Sequence, residues 1–180
     1  SEWIMFKKLI IILLGVMCVT MVKPTKKASA NSSKFITIET SQGKVVIETL
    51  PKFAPNHVKR IKQLVKNGFY DGIIFHRVIK GFMAQTGDPD GIGTGGSGQN
   101  LKAEFSDYEY KYGTVGMARS MSPDSGDSQF FICFDGCSHL TGQYTVWGQV
   151  ISGMDAVEKL SIGEPPSNPD KMISVRLGKK

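Results

Sequence analysis

Cysteine, histidine and tryptophan are scarce in this chain, with three, three and two copies among 180 residues. The shortage limits its chemistry. A structural zinc site draws on Cys and His ligands at short, regular spacings, and Cys133, Cys137 and His139 match none of the common patterns. A serine triad needs a histidine to accept the hydroxyl proton and a carboxylate to orient it. Gly126-Asp127-Ser128 sets a serine beside an acid, but His57, His76 and His139 lie in no comparable context. We therefore expect neither a metal site nor hydrolytic chemistry.

Clustered positive charge is also lacking. The formal net charge is +6, yet five lysines and one acid fall in residues 1–30, which leaves 17 cationic against 15 acidic side chains in the rest. Nucleic-acid binding needs a concentrated basic surface, and an excess of two does not supply it. Lys179-Lys180 reads as a solvated tail.

Long apolar runs are represented once, by residues 9–19. Met5-Phe6-Lys7-Lys8 precedes that run and Ala28-Ser29-Ala30 follows it. A positive start, an apolar stretch of this length and a small-x-small site are the three parts of a secretory signal. We expect cleavage after Ala30, which separates a leader with its flanking residues (1–30) from a single domain (31–180), exported to a periplasm or beyond. A retained anchor is the alternative, although Thr20 and Lys23 interrupt the run before it reaches a spanning length. A lipoprotein signal at Cys18 is disfavoured by the bulk of Met17. Cys133 and Cys137 then remain. An oxidising compartment would permit a disulfide, but four-residue spacing across a strand end does not assure its geometry, and we expect buried free thiols.

A hydrophobic fraction of 41% with 21% charged residues supports a packed core. Twenty glycines argue for many tight turns rather than a helical bundle. Alternating β-favouring residues predict strands at 35–40 and 44–50, joined by a turn at Ser41-Gln42-Gly43. Val58, Ile61, Leu64 and Val65 form a stripe at helical spacing behind Pro55, and Asn67-Gly68 would end that helix. Short strands follow at 73–79, 82–85, 114–118, 129–133, 146–150 and 172–177, with a brief helix at 154–160. Many short strands without strand–helix alternation predict an antiparallel sandwich or closed barrel.

Residues 87–98 form a glycine-rich loop long enough to be functional or disordered. Gly91, Gly93 and Gly96 satisfy G-x-G-x-x-G formally, but no long apolar-periodic helix follows to receive a pyrophosphate. The Gly-Lys-Ser/Thr ending of a P-loop is missing as well, so we expect no nucleotide cofactor.

The most informative segment runs from Phe75-His76-Arg77-Val78-Ile79 to Gly81-Phe82-Met83-Ala84-Gln85-Thr86-Gly87-Asp88. Strand alternation would put Phe75, Arg77 and Ile79 on one face, opposite His76 and Val78. An arginine between two large apolar residues is either functional or an edge residue whose stem covers apolar surface. Spacing leaves both open. This segment, together with Gly93-Thr94-Gly95-Gly96, Gly113-Thr114-Val115-Gly116-Met117-Ala118-Arg119, Asp127-Ser128-Gln129-Phe130-Phe131-Ile132 and His139-Leu140-Thr141-Gly142-Gln143-Tyr144, resembles the cyclophilin family in its bacterial form. The similarity covers about residues 35–177, and several ordered blocks together are far more specific than any one of them.

The resemblance implies a mainly β fold, a closed eight-stranded antiparallel β-barrel capped by two α-helices. It implies a monomer that catalyses peptidyl-prolyl cis-trans isomerisation on X–Pro-containing polypeptides, here exported proteins as they fold. That reaction needs no cofactor, because the barrier is the resonance of the peptide bond, roughly 18–20 kcal/mol. By resemblance Arg77 would approach the prolyl nitrogen as the bond twists, and Gln85 would bind substrate backbone and steady Arg77. Phe82, Met83, Phe131 and Leu140 would hold the proline ring. Ala118 and Gln129 would meet substrate backbone, and Gly93 and Thr94 would line the pocket for the preceding residues. His139 and Tyr144 would complete the substrate-binding set; His139 stands where eukaryotic members commonly carry tryptophan, and Tyr144 where they carry histidine. Tight ciclosporin binding is therefore not expected, whereas Tyr144 can still donate a hydrogen bond to substrate. Thr141 and Ser120 also depart from the common pattern without touching the electrostatic step. The alternative from another class is a proline-peptide-binding or chaperone module with little turnover.

Overall fold

The computed structural model describes residues 33–178; the expected leader, the expected cleavage site at Ala30 and Lys179-Lys180 lie outside the described residues. The chain opens with a hairpin of β1 (Phe35–Thr40) and β2 (Gly43–Thr49), paired from Phe35 opposite Glu48 to Thr40 opposite Gly43. Thr40 closes the turn, its Oγ1 donating to the Gly43 carbonyl at 2.7 Å and accepting from the Gln42 N–H at 3.1 Å.

Helix α1 (Pro55–Lys66) follows, and Val58, Ile61, Leu64 and Val65 are its buried stripe. Each such side chain contributes about 1.5–3 kcal/mol on burial. Its C-terminus closes as predicted: Gly68 sits at φ +69°, its N–H bonds Val65 O at 3.1 Å, and the Phe69 N–H reaches back to Leu64 O at 3.0 Å. At the other end Ala54 offers no capping side chain. A distant residue supplies the cap instead, the Glu104 carboxylate accepting from the Asn56 N–H at 3.0 Å and the His57 N–H at 2.9 Å.

The remaining strands are β3 (Arg77–Ile79), β4 (Met83–Thr86), β5 (Thr114–Met117), β6 (Phe130–Cys133), β7 (Val146–Ser152) and β8 (Met172–Gly178). One eight-stranded sheet runs in the order β3-β4-β6-β5-β7-β2-β1-β8 with antiparallel neighbours. It curls until its ends meet. The seam is a short one, an isolated bridge between Ile74 and Lys171 flanked by Phe75 N–H to Asp170 O and Met172 N–H to Ile73 O, each 2.8 Å. Helix α2 (Met154–Glu158) ends two residues before the predicted limit, although Leu160 beyond it stays buried.

That seam corrects the expected strand at 73–79. Residues 73–75 bond the stretch before β8, and regular pairing with β4 begins only at Arg77. The change of partner at His76 breaks the alternation. Phe75 joins Val78 in the main core, while Ile79 faces the other way, so Arg77 and Ile79 share a face that Phe75 does not.

Two apolar clusters result. Val78, Ala84, Val115 and Ile132 lie on the inner face of the sheet and pack with α1, α2 and Trp147. Met83, Phe131, Cys133, Cys137 and Leu140 form a second cluster on the opposite face. Strand β6 serves both because its side chains alternate, Phe130 and Ile132 inward, Phe131 and Cys133 outward.

The cysteine expectation is also corrected. Cys133 and Cys137 form a disulfide, both fully buried. A 3-10 turn at Asp135–Leu140 folds back under the end of β6 and brings their Cα atoms to 6.0 Å, within the ordinary bridging range.

Candidate active site

The second cluster is the floor of a groove. Strand register builds its centre: Arg77 pairs with Gln85, Gln85 with Phe131, and Phe131 with Gly116, a row across four strands on one face. Gly116 is required there, since a Cβ would lie 2.1 Å from the Tyr110 hydroxyl and 2.6 Å from the Phe131 ring. Without it Tyr110 stacks on Phe131 with centroids 5.8 Å apart and donates its hydroxyl to Tyr144 O at 3.2 Å. Burial holds the Tyr110 phenol pKa far above its usual value, so it remains a donor. Tyr144 meets Phe131 edge-on at 5.9 Å.

A cavity of about 120 Å³ opens over this row, lined by Arg77, Phe82, Met83, Gln85, Phe131 and Leu140 together with Ala118, Arg119 and Tyr144. An apolar cavity of about 150 Å³ admits a benzene ring, so the slot suits one small ring. A second cavity of about 380 Å³ adjoins it, sharing Gln85, Ala118 and Arg119 and reaching Gly93, Thr94 and Gln129. The predicted site residues thus gather in two neighbouring cavities, with one exception. His139 lines neither; it is exposed, and its ring stacks on Phe82 at 5.6 Å.

Gln85 and Gln129 connect the cavities. Gln85 Nε2 donates to Gln129 Oε1 at 2.9 Å, and Gln129 Nε2 donates to Gly93 O at 3.0 Å and Gly95 O at 2.9 Å. The expected steadying of Arg77 by Gln85 is not what the side chains do. Arg77 Nε donates instead to Glu164 Oε1 at 2.6 Å.

The glycine loop is ordered by two carboxylates. Asp88 accepts from the N–H groups of Asp90 at 2.8 Å, Ile92 at 3.1 Å and Gly93 at 2.5 Å. Asp127 accepts from those of Ser97 and Gly98 at 2.9 Å and Gln99 at 3.2 Å, and from the Ser97 hydroxyl. Burial pushes the Asp88 carboxyl up, but the backbone donors outweigh it and hold its pKa below the usual range. The N–H groups of Asp90, Ile92, Gly93, Ser97, Gly98 and Gln99 are therefore taken up by carboxylates of the protein. Gly95 and Gly96 permit the approach, since a Cβ would fall 2.0 Å from Asp88 Oδ1 and 2.5 Å from Asp127 Oδ2.

Other titratable groups are structural. Ser128 is fully buried and donates to Gly87 O at 2.7 Å, so it is no nucleophile. His76 lies behind the loop, where burial lowers its pKa, Asp88 opposes the shift and Arg77 adds to it. Among the described residues no three His, Cys, Asp or Glu side chains converge as around a metal ion.

Two residues of the site went unassigned at the sequence level. Arg119 packs 4.4 Å over the Tyr144 ring and donates to Gln143 O from Nε at 3.2 Å and Nη2 at 2.9 Å. Its position beside Ala118 could have flagged it. Glu164 lies 87 residues from Arg77 and carries no local signal.

A cation lining a small, partly apolar slot, with a larger cavity alongside, is an arrangement suited to holding a ring beside a charge. Comparison with known proteins gives that arrangement its family. Residues 35–177 match the family model described as cyclophilin type peptidyl-prolyl cis-trans isomerase/CLD. A probable peptidyl-prolyl cis-trans isomerase of Brucella abortus is 46% identical over 167 residues, covering 83% of this chain and 85% of its own. Among solved structures, a cyclophilin from Hirschia baltica aligns with TM-score 0.73 and 31% identity, over 81% of this chain and 74% of that one. A Cryptosporidium parvum cyclophilin-type isomerase, crystallised in the presence of the dipeptide Ala-Pro, aligns with TM-score 0.75 and 28% identity, over 81% of this chain and 99% of that one. The chain belongs to the cyclophilin-type peptidyl-prolyl cis-trans isomerases, and its activity is the interconversion of cis and trans X–Pro bonds.

Proposed function

We propose that Arg77 stabilises the twisted X–Pro bond while Phe82, Met83, Phe131 and Leu140 hold the proline ring. The observation that carries this is the register-built row in which Arg77, Gln85 and Phe131 share one face, with Arg77 lining the same slot as those four apolar side chains. As the bond rotates, amide resonance is lost and the nitrogen regains a lone pair. A guanidinium is permanently charged and carries fixed N–H donors, so its hydrogen bond strengthens as that lone pair develops. An interaction stronger in the transition state than in the ground state lowers the barrier.

Substrate backbone would run from the slot past Ala118 to the second cavity, with Gln85 and Gln129 as amide partners and Gly93 and Thr94 against the preceding residues. That the Cryptosporidium relative was crystallised in the presence of the dipeptide Ala-Pro supports a proline-containing ligand. Tyr144, which lines the slot, would donate to the substrate, and His139 would support the slot through its stacking on Phe82. The clients we propose are exported polypeptides, met by a monomeric enzyme after removal of the leader near Ala30. The buried disulfide supports an oxidising location.

The test is a prolyl-peptide isomerisation assay with Arg77→Ala. A charge-assisted hydrogen bond is worth about 1.5–3 kcal/mol, so kcat/KM should fall roughly 10–100-fold. An unchanged rate would remove Arg77 from the mechanism.

A further inference from the structure

Arg77 is held from a segment remote in sequence. The loop before β8 returns along the free edge of β3, where Gly163 and Val78 exchange two backbone hydrogen bonds, 2.9 Å from Val78 N–H and 3.0 Å from Gly163 N–H. In an antiparallel bridge the next residue of one strand faces the previous residue of the other, which sets Glu164 opposite Arg77. Gly163 admits no substitute, because at φ +152° a Cβ would lie 2.5 Å from the Pro166 Cα. The backbone thus fixes where the carboxylate emerges, and Glu164 Oε1 takes the Nε–H of Arg77 at 2.6 Å.

We propose that Glu164 is a positioning residue for the isomerisation, fixing the plane of the Arg77 guanidinium so that its terminal N–H groups stay free for the proline slot. The proposal rests on the assignment of Arg77 above. Three observations support it. Glu164 lines neither cavity, so it is placed to act through Arg77 rather than on substrate. The bond uses Nε and leaves the two terminal nitrogens free of other side chains among the described residues. Gln85, opposite Arg77 on β4, gives its amide to Gln129 and does not compete.

A carboxylate also offsets part of the charge that Arg77 presents, and the balance decides the sign. The side chains of Arg77 and Glu164 are 39% and 54% exposed. Water at that exposure weakens the carboxylate's field over distance, whereas a hydrogen bond at Nε restricts a long side chain with large rotamer freedom. Orientation outweighs neutralisation, and loss of Glu164 slows the chemical step.

The experiment measures kcat and KM on a prolyl peptide for wild type, Glu164→Ala, Glu164→Gln, Arg77→Ala and the Arg77→Ala, Glu164→Ala double variant. Thermal melting checks each fold. Glu164→Ala should lower kcat about three- to fivefold with KM within about twofold, in line with the worth of an exposed pair. Glu164→Gln retains an oxygen acceptor for Nε and should recover at least about half of the wild-type kcat. On the Arg77→Ala background the Glu164 change should have no further effect. A Glu164→Ala kcat equal to or above wild type overturns the proposal, as does a loss confined to KM or an equal loss in the Gln variant. A wild-type rate in Arg77→Ala would instead overturn the assignment on which it rests.

Discussion

Replacing Phe131 separates ring capture from the electrostatic step. Its ring forms part of the slot floor, between the stacked Tyr110 and the edge of Tyr144. A pyrrolidine ring buries three methylenes, each worth about 0.8 kcal/mol, or about 2.4 kcal/mol shared among Phe82, Met83, Phe131 and Leu140. Losing one of four walls and loosening its neighbours forfeits about 1 kcal/mol, a change of about fivefold in affinity. Truncation to alanine would also cost about 3–5 kcal/mol of stability in so buried a position, so Phe131→Leu is the cleaner variant. Arg77 stands two strands away, about 10 Å at ordinary strand spacing, and is tied on its far side to Glu164. Steady-state kinetics of Phe131→Leu on a prolyl peptide should therefore show KM raised by about two- to fivefold, the upper figure being loss of the whole wall, with kcat changed less than about twofold. A kcat that collapses at unchanged KM would refute the division of labour between ring slot and arginine.

Two further outcomes follow from parts of the chain away from the slot. Glu104→Ala removes the carboxylate that caps α1 and should cost about 1–2 kcal/mol, lowering Tm by about 2–4 °C per kcal/mol in calorimetry; a Tm within one degree of wild type at neutral pH would contradict the capping role. Burial pushes the Glu104 carboxyl up, but the His57 and Asn56 donors outweigh it and hold its pKa low, and burial lowers that of His57 against the pull of Glu104. A depressed pKa gives stability above the ordinary value that is lost as pH falls through the folded one. Wild type should thus weaken on acidification, first as His57 must charge and then as Glu104 protonates, and the variant should lack the second loss. Finally, N-terminal sequencing of protein recovered from cells should begin at Asn31; a retained leader would refute cleavage after Ala30.

The sequence made the barrel's parts legible where a local rule governs them. The α1 stripe, its glycine stop and the β1–β2 hairpin each depend on residues within a few positions, and each stands where local pattern put it. Resemblance carried the slot residues, because several short blocks kept their order along the chain. Features set by long-range register were invisible. The alternation through Phe75 failed because its stretch bonds Asp170, 95 positions away, before β3 begins. The disulfide of Cys133 and Cys137 is not legible in the sequence because spacing alone does not reveal the 3-10 turn that carries Cys137 back to β6.

The same contrast explains why the arginine's partner could not be read from its neighbours. Gln85 stands eight residues on and directly across the β3–β4 hairpin, which makes it the natural guess. Register puts Gln85 and Arg77 on one face, but it also puts Phe131 beyond Gln85, and Gln129 two residues from Phe131 captures the amide. The edge of β3 then lies open on its other side, and only a backbone strap returning from the far end of the sheet can fill it. Once Gly163 bridges Val78, the identity of the next residue is placed against the guanidinium by peptide geometry alone. A carboxylate there orders Arg77, a side chain without an acceptor would leave it free, and a lysine would repel it. Control of the cation at the slot is thus vested in a loop that never lines the slot.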